Sequence, residues 1–184
     1  MTRAVGAAQR RALLLIGTVG VGKTTTAATI GDVLTGAQVP HAVIDLDELR
    51  RSWPAPPDDP FQQELELANL RAVASVYRRR GTHRLVLAGV LEHREDRARY
   101  EDAVGVALTV CRLRLALPTV HERLERRHQD RDAARRWHLD RAGELDAVLD
   151  AAGVEDHLVD VDGLDPPAVA RSVLRAIGWD VTAR

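Results

Sequence analysis

Apolar and polar positions change period several times along this chain. Residues 12–16 (ALLLI) form a short unbroken apolar run, the pattern of a strand buried on both faces. Residues 22–35 then read as a helix. Residues 41–46 (HAVIDL) read as a second strand, and 53–60 (WPAPPDDP) as a loop in which proline forbids a continuous helix. Residues 61–80 carry helical spacing through Leu65, Leu67, Leu70, Val73, Val76 and Tyr77. A third strand is expected at 84–90, a helix at 94–104 and a fourth strand within 106–117. Pro118 stands at the favoured first-turn position of a helix running through Val120 and Leu124. Residues 130–149 are polar and arginine-rich, then amphipathic. Residues 156–161 give a fifth strand, and 166–177 a closing helix with Val169, Val173, Leu174 and Ile177 on one face. Five strands alternating with helices predict an α/β fold, a doubly wound five-stranded parallel sheet.

Composition narrows this picture without redirecting it. A chain of 184 residues suits a single domain over 1–184, with a lid at about 123–142. A formal net charge of -1 argues against bulk electrostatic binding to nucleic acid or to a membrane surface. The one cysteine, Cys111, excludes an intramolecular disulfide and sits in an apolar run as a core residue would. The apolar run near the N-terminus is too short for a signal sequence, and none reaches the ~18 residues of a membrane span. A cytoplasmic location is expected; a homodimer is left open.

The chemistry begins at residues 17–26, GTVGVGKTTT. Gly17, Gly22, Lys23 and Thr24 match the phosphate-loop pattern G-x-x-x-x-G-K-[ST], placed between a buried strand and a helix as that motif requires. Glycines let successive N–H groups point at a phosphate, and the helix adds the positive end of its dipole. Gly17, Thr18, Val19, Gly20, Val21, Gly22, Lys23, Thr24 and Thr25 are thus the candidate ATP site, with Lys23 at the β- and γ-phosphates and Thr24 on Mg²⁺. Lys23 is the only lysine among 26 basic residues. Its slim point charge suits this position where arginine's planar fork does not.

The second strand ends Asp45-Leu46-Asp47, with Arg50 one turn on. Strand alternation puts both carboxylates on one side, at the strand end where parallel sheets gather ligands. Asp45 is the candidate metal ligand, and Asp47 the group that orients or deprotonates an acceptor hydroxyl. The plainer reading of Asp47 is a helix cap. Arg50 is placed to meet an anionic acceptor.

With the phosphate loop upstream, Asp47-x-x-Arg50 resembles the adenylylsulfate kinases, whose segment reads D-G-D-N-[IVL]-R. Phe61 and Asn69 keep the spacing of that family's substrate-site Phe and Asn. Asn69-Leu70-Arg71 is similar to its N-I-R-R helix, and the segment 91–97 (LEHREDR), which contains Arg94, to its S-P-Y-R-x-x-R. The resemblance covers most of the chain and implies ATP and Mg²⁺ as cofactors. It also implies a small-molecule hydroxyl acceptor, adenylylsulfate first, held by Asp47, Arg50, Phe61, Asn69 and Arg94. The chain departs from the family in four places. Glu66 stands where the family has arginine, Leu91-Glu92 replaces Ser-Pro, the lid lacks the family's lysine and F-T-G-[IV] segment, and the loop between Arg50 and Phe61 is longer and proline-rich. An antibiotic or nucleoside phosphotransferase on the same fold is the first alternative, and a nucleotide-dependent switch without an acceptor site the second.

The segment Arg123-Leu124-Glu125-Arg126-Arg127 is similar to the R-L-x-x-R that opens the lid of small P-loop kinases. That likeness implies Arg123 on adenine and Arg127 near phosphates, with Arg131, Arg135, Arg136 and Arg141 as further lid candidates. An exposed helix with acidic partners accounts for most of the seven arginines from 123 to 141, and about two or three are expected to touch ligand. Trp53 and Phe61 flank the proline loop and either stack on a flat acceptor or pin the loop to the core, and Trp137 and His138 either line the acceptor pocket or serve as an apolar anchor and a surface histidine. The histidines show no metal-ligand spacing.

Overall fold

A computed structural model describes residues 10–127 and 132–179. Its elements run β1 (Arg11–Ile16), α1 (Lys23–Gly36), β2 (His41–Asp45), α2 (Leu46–Leu49), α3 (Gln63–Arg79), β3 (Arg84–Ala88), α4 (Arg97–Val104), β4 (Leu108–Arg114), α5 (Leu117–Arg127), α6 (Asp132–Ala152), β5 (His157–Asp160) and α7 (Pro166–Ala176). A 3-10 turn, Arg94–Asp96, leads into α4. The five strands are all parallel, in the order β2-β3-β1-β4-β5.

The unbroken apolar run of β1 has a simple cause: the strand is central and covered on both faces. Leu13 and Leu15 pack into one core with Ile30 and Leu34 of α1 and Val173 of α7. Ala12, Leu14 and Ile16 pack into the other with Leu67 and Leu70 of α3 and Ala103 of α4. Two helical layers around one sheet leave the carboxyl ends of the strands as the open edge, where the loops can build a site. Cys111 is fully buried in β4, where burial pushes its thiol up to about 12.

Boundaries differ from the sequence reading by a few residues. The larger difference lies after β2, where the chain turns at once into the one-turn α2. Asp45 caps it, its Oδ1 accepting from Asp47 N at 3.0 Å. The capping role considered for Asp47 therefore falls to Asp45, and Asp47 sits inside the first turn. Among the described residues, no helix is long and apolar enough to cross a membrane.

Two attachments hold α6 to the sheet. Arg112, buried in β4, pairs with Asp146 at 3.0 Å and Asp150 at 2.7 Å. Thr18 Oγ1, buried in the loop after β1, donates to Ala142 O at 2.5 Å. Helix α6 is thereby tied directly to the loop after β1.

Candidate active site

Residues 17–22 curl between β1 and α1 because glycine permits it. Gly17 has φ +144°, and a Cβ there would stand 2.5 Å from the Leu113 carbonyl oxygen. Gly22 opens α1 at φ +109°, outside the range of ordinary side chains. Lys23 folds back into the curl, donating from Nζ to Gly17 O at 2.9 Å and Thr18 O at 3.1 Å. These carbonyls hold the ammonium where a phosphate would meet it. Burial lowers the Lys23 pKa from 10.5 to about 8, Asp47 and Asp45 pulling it back up and Arg50 adding to the depression.

That shift fixes a pH dependence. A lysine with a depressed pKa is charged below it and neutral above, so free protein loses the ammonium as pH rises through about 8. Bound phosphates would favour the charged form. We expect binding of a polyphosphate at this loop to weaken as pH rises above about 8, as calorimetric titration across that range would show.

Thr24 Oγ1 donates to Asp45 Oδ2 at 2.8 Å. A hydroxyl and a carboxylate oxygen side by side form the donor set Mg²⁺ prefers, a hard cation that takes few protein ligands and completes its shell with water and phosphate oxygens. Groups of three or more His, Cys, Asp or Glu able to hold a metal are absent among the described residues. These two residues fit the ion.

The loop opens into a cavity of about 1140 Å³ running along the strand ends. Toward β5 its wall is apolar: Val161, Leu164, Pro166 and Val169, with Arg123 and Arg127 of α5 alongside. Arg123 Nη1 donates to Val21 O at 3.4 Å, so its guanidinium rests on the outer phosphate loop. Toward β2 and β3 the wall carries Asp47, Arg50, Asp59, Phe61, Glu92, His93, Asp96 and Tyr100, capped from α6 by Trp137, His138 and Arg141.

Arg50 is the hub of this second half. It ion-pairs with Asp47 Oδ1, and its Nη1 lies 3.4 Å from Glu66 Oε2. Glu66 is 2% exposed and accepts from the Tyr100 hydroxyl at 2.6 Å. Burial raises the Glu66 carboxyl above its usual range, against the Tyr100 hydrogen bond and Arg50, which lower it. Sequence reading marked Glu66 only as a missing arginine; its burial and its two partners emerge from the fold. Nor did it find the apolar wall after β5, although the rule that ligands gather at strand carboxyl ends points there.

Other expected site residues lie elsewhere. Asn69 Nδ2 donates to Leu49 O at 2.7 Å, satisfying a carbonyl that the one-turn α2 leaves open, and does not line the cavity. Arg94 donates to Gly153 O and is likewise outside the lining. Arg135 pairs with Asp132 at 2.6 Å, Arg136 is exposed, and neither reaches the cavity. Arg131 falls outside the described residues. Thr18 is committed to Ala142, leaving its backbone as its contribution to the loop. Trp53 is 92% exposed and outside the cavity lining, whereas Phe61 and Trp137 lie within it.

No protein-family model and no curated protein sequence matches the chain. Solved structures do. The tunicamycin resistance protein of Deinococcus radiodurans is 22% identical, with a TM-score of 0.66 over 92% of this chain and 96% of that one. Shikimate kinase from Acinetobacter baumannii, in complex with shikimate, is 17% identical, with a TM-score of 0.58 over 94% and 95%. A gluconokinase from Sinorhizobium meliloti 1021 is 16% identical, with a TM-score of 0.56 over 93% and 94%. The fold is that of the P-loop kinases. These likenesses span nearly the whole chain and single out no adenylylsulfate kinase.

Proposed function

We propose that the chain is an ATP-dependent kinase that transfers the γ-phosphoryl group of Mg·ATP to the hydroxyl of a small molecule. One observation carries this reading: a phosphate loop with its lysine and its Thr24–Asp45 pair opens into the same cavity as the exposed Asp47 carboxylate. The fold likeness to two kinases supports it. ATP would lie with its base against the apolar wall after β5 and its phosphates on residues 17–25. Thr24 and Asp45 would hold Mg²⁺, which supplies charge neutralisation of the phosphates. Lys23, held by its two carbonyl partners, would present its third N–H to the β- and γ-oxygens.

Asp47, held by Arg50, would orient the acceptor hydroxyl and accept its proton. Phosphoryl transfer needs little more than alignment and charge stabilisation, so one positioned carboxylate suffices on the acceptor side. Arg127 would approach the phosphates from α5, while Arg141 stays with Glu92 and Glu144.

Adenylylsulfate is the acceptor that the Asp47-x-x-Arg50 resemblance implies. Glu66 weighs against it, since a buried carboxylate replaces the family's arginine and already engages Arg50. We favour the antibiotic or nucleoside phosphotransferase reading. A protein named for resistance to tunicamycin shares the fold over almost the whole chain, which agrees with that choice. The test is incubation with γ-labelled Mg·ATP and a panel of hydroxyl compounds. Label should move to an organic acceptor. Release of label only to water, unchanged by every acceptor, would contradict the kinase reading and favour a nucleotide-driven switch.

A further inference from the structure

The acceptor half of the cavity is short of available positive charge. Asp47, Asp59, Glu92 and Asp96 line it, and Glu66 stands directly behind. Among the described residues lining this half, the arginines are Arg50 and Arg141, and both are engaged within the protein. Arg50 pairs with Asp47 and with Glu66, which the Tyr100 hydroxyl fixes from the other side at 2.6 Å. Arg141, 12% exposed along its side chain, pairs with Glu92 and with Glu144 at 3.1 Å, and lies 5.2 Å from the centroid of the Phe61 ring.

An anionic acceptor entering here would have to compete with a buried carboxylate for Arg50 or settle among like charges, both strongly unfavourable away from bulk water. The same wall offers acceptor oxygens to hydroxyl or ammonium donors. Phe61 and Trp137, 52% and 54% exposed, offer apolar surface beside them.

We propose that the acceptor carries no net negative charge, being an uncharged or cationic polyhydroxyl compound with one flat or apolar face, and that Glu66 sets this choice by neutralising Arg50. The proposal rests on the kinase reading above and narrows its substrate class. Glu66 touches Arg50 rather than substrate, so it is a positioning residue, and its signature is a change in selectivity rather than a plain loss of rate.

The experiment measures kcat/KM with Mg·ATP on acceptor pairs matched in shape and differing in charge: methyl shikimate against shikimate, glucitol against gluconate, uridine against uridine monophosphate. Kanamycin serves as a cationic probe and adenylylsulfate as a further anion. The uncharged or cationic members should be preferred by about tenfold or more, a ratio equivalent to ~1.4 kcal/mol. Glu66→Gln, which keeps the shape and removes the charge, should shrink that preference about tenfold. Should that variant fail to fold, Glu92→Gln, at a partly exposed site, should shrink it through Arg141.

Preference for the anionic members overturns the proposal. So does unchanged selectivity in the folded Gln variants, or a failure of every uncharged and cationic probe while Mg·ATP still binds. Failure to bind Mg·ATP at all overturns the kinase reading itself, and the proposal with it.

Discussion

Lys23→Ala should lower kcat/KM for ATP by a hundredfold or more, and Lys23→Arg should rescue little of it. The size follows from the role. One preorganised donor aimed at developing charge in a partly dry site carries about 10²–10³ in rate. The failure of arginine follows from the space. The ammonium sits inside the loop's curl, 2.9 Å from Gly17 O and 3.1 Å from Thr18 O. A planar guanidinium cannot occupy that curl without pushing apart a backbone already pinned where Gly17 passes Leu113. Steady-state kinetics and calorimetric titration with Mg·ATP check both variants. An arginine variant near wild-type activity would mean that the single lysine of this arginine-rich chain has some other cause.

Asp47→Ala should lower turnover by about 10²–10⁴, the range of a lost general base. It should do so without disturbing the fold, because the side chain is 60% exposed and contributes no core packing. Its loss also frees Arg50 from one of its two carboxylates. Glu66 still holds that arginine from the buried side, so the remaining site should keep its shape. A stopped reaction with an unchanged melting temperature would separate this from damage to the fold.

How much of this was legible in the sequence depended on what kind of interaction built each part. The sheet was legible because burying a central parallel strand on both faces demands an unbroken apolar run, and residues 12–16 supply one. The phosphate loop was legible because its chemistry is local: spaced glycines, one lysine and a following helix. Asp45 and Asp47 were legible as a pair by strand alternation. Their division of labour was not, since it depended on α2 starting immediately after β2 and drawing Asp45 into its cap.

The acceptor wall was the least legible part. Glu66 and Tyr100 come from α3 and α4, which meet only because both pack on the same face of the sheet. Asn69 and Arg94 matched a family pattern, and the fold gave their side chains backbone carbonyls to satisfy instead. The apolar wall after β5 comes from Val161, Leu164, Pro166 and Val169, spread over a turn and a helix start with no motif of their own. A pattern of residue types carries a site only where the backbone between them is short.

The central claim is that one cavity holds a donor at the phosphate loop and an acceptor at Asp47, as two separable functions. The measurement that tests it most directly is the Mg·ATP dissociation constant of Asp47→Ala, taken beside its rate of phosphoryl transfer. The account predicts an affinity within a few-fold of wild type with transfer lost. Transfer that survives the substitution, or ATP affinity that collapses with it, would contradict the division of the site.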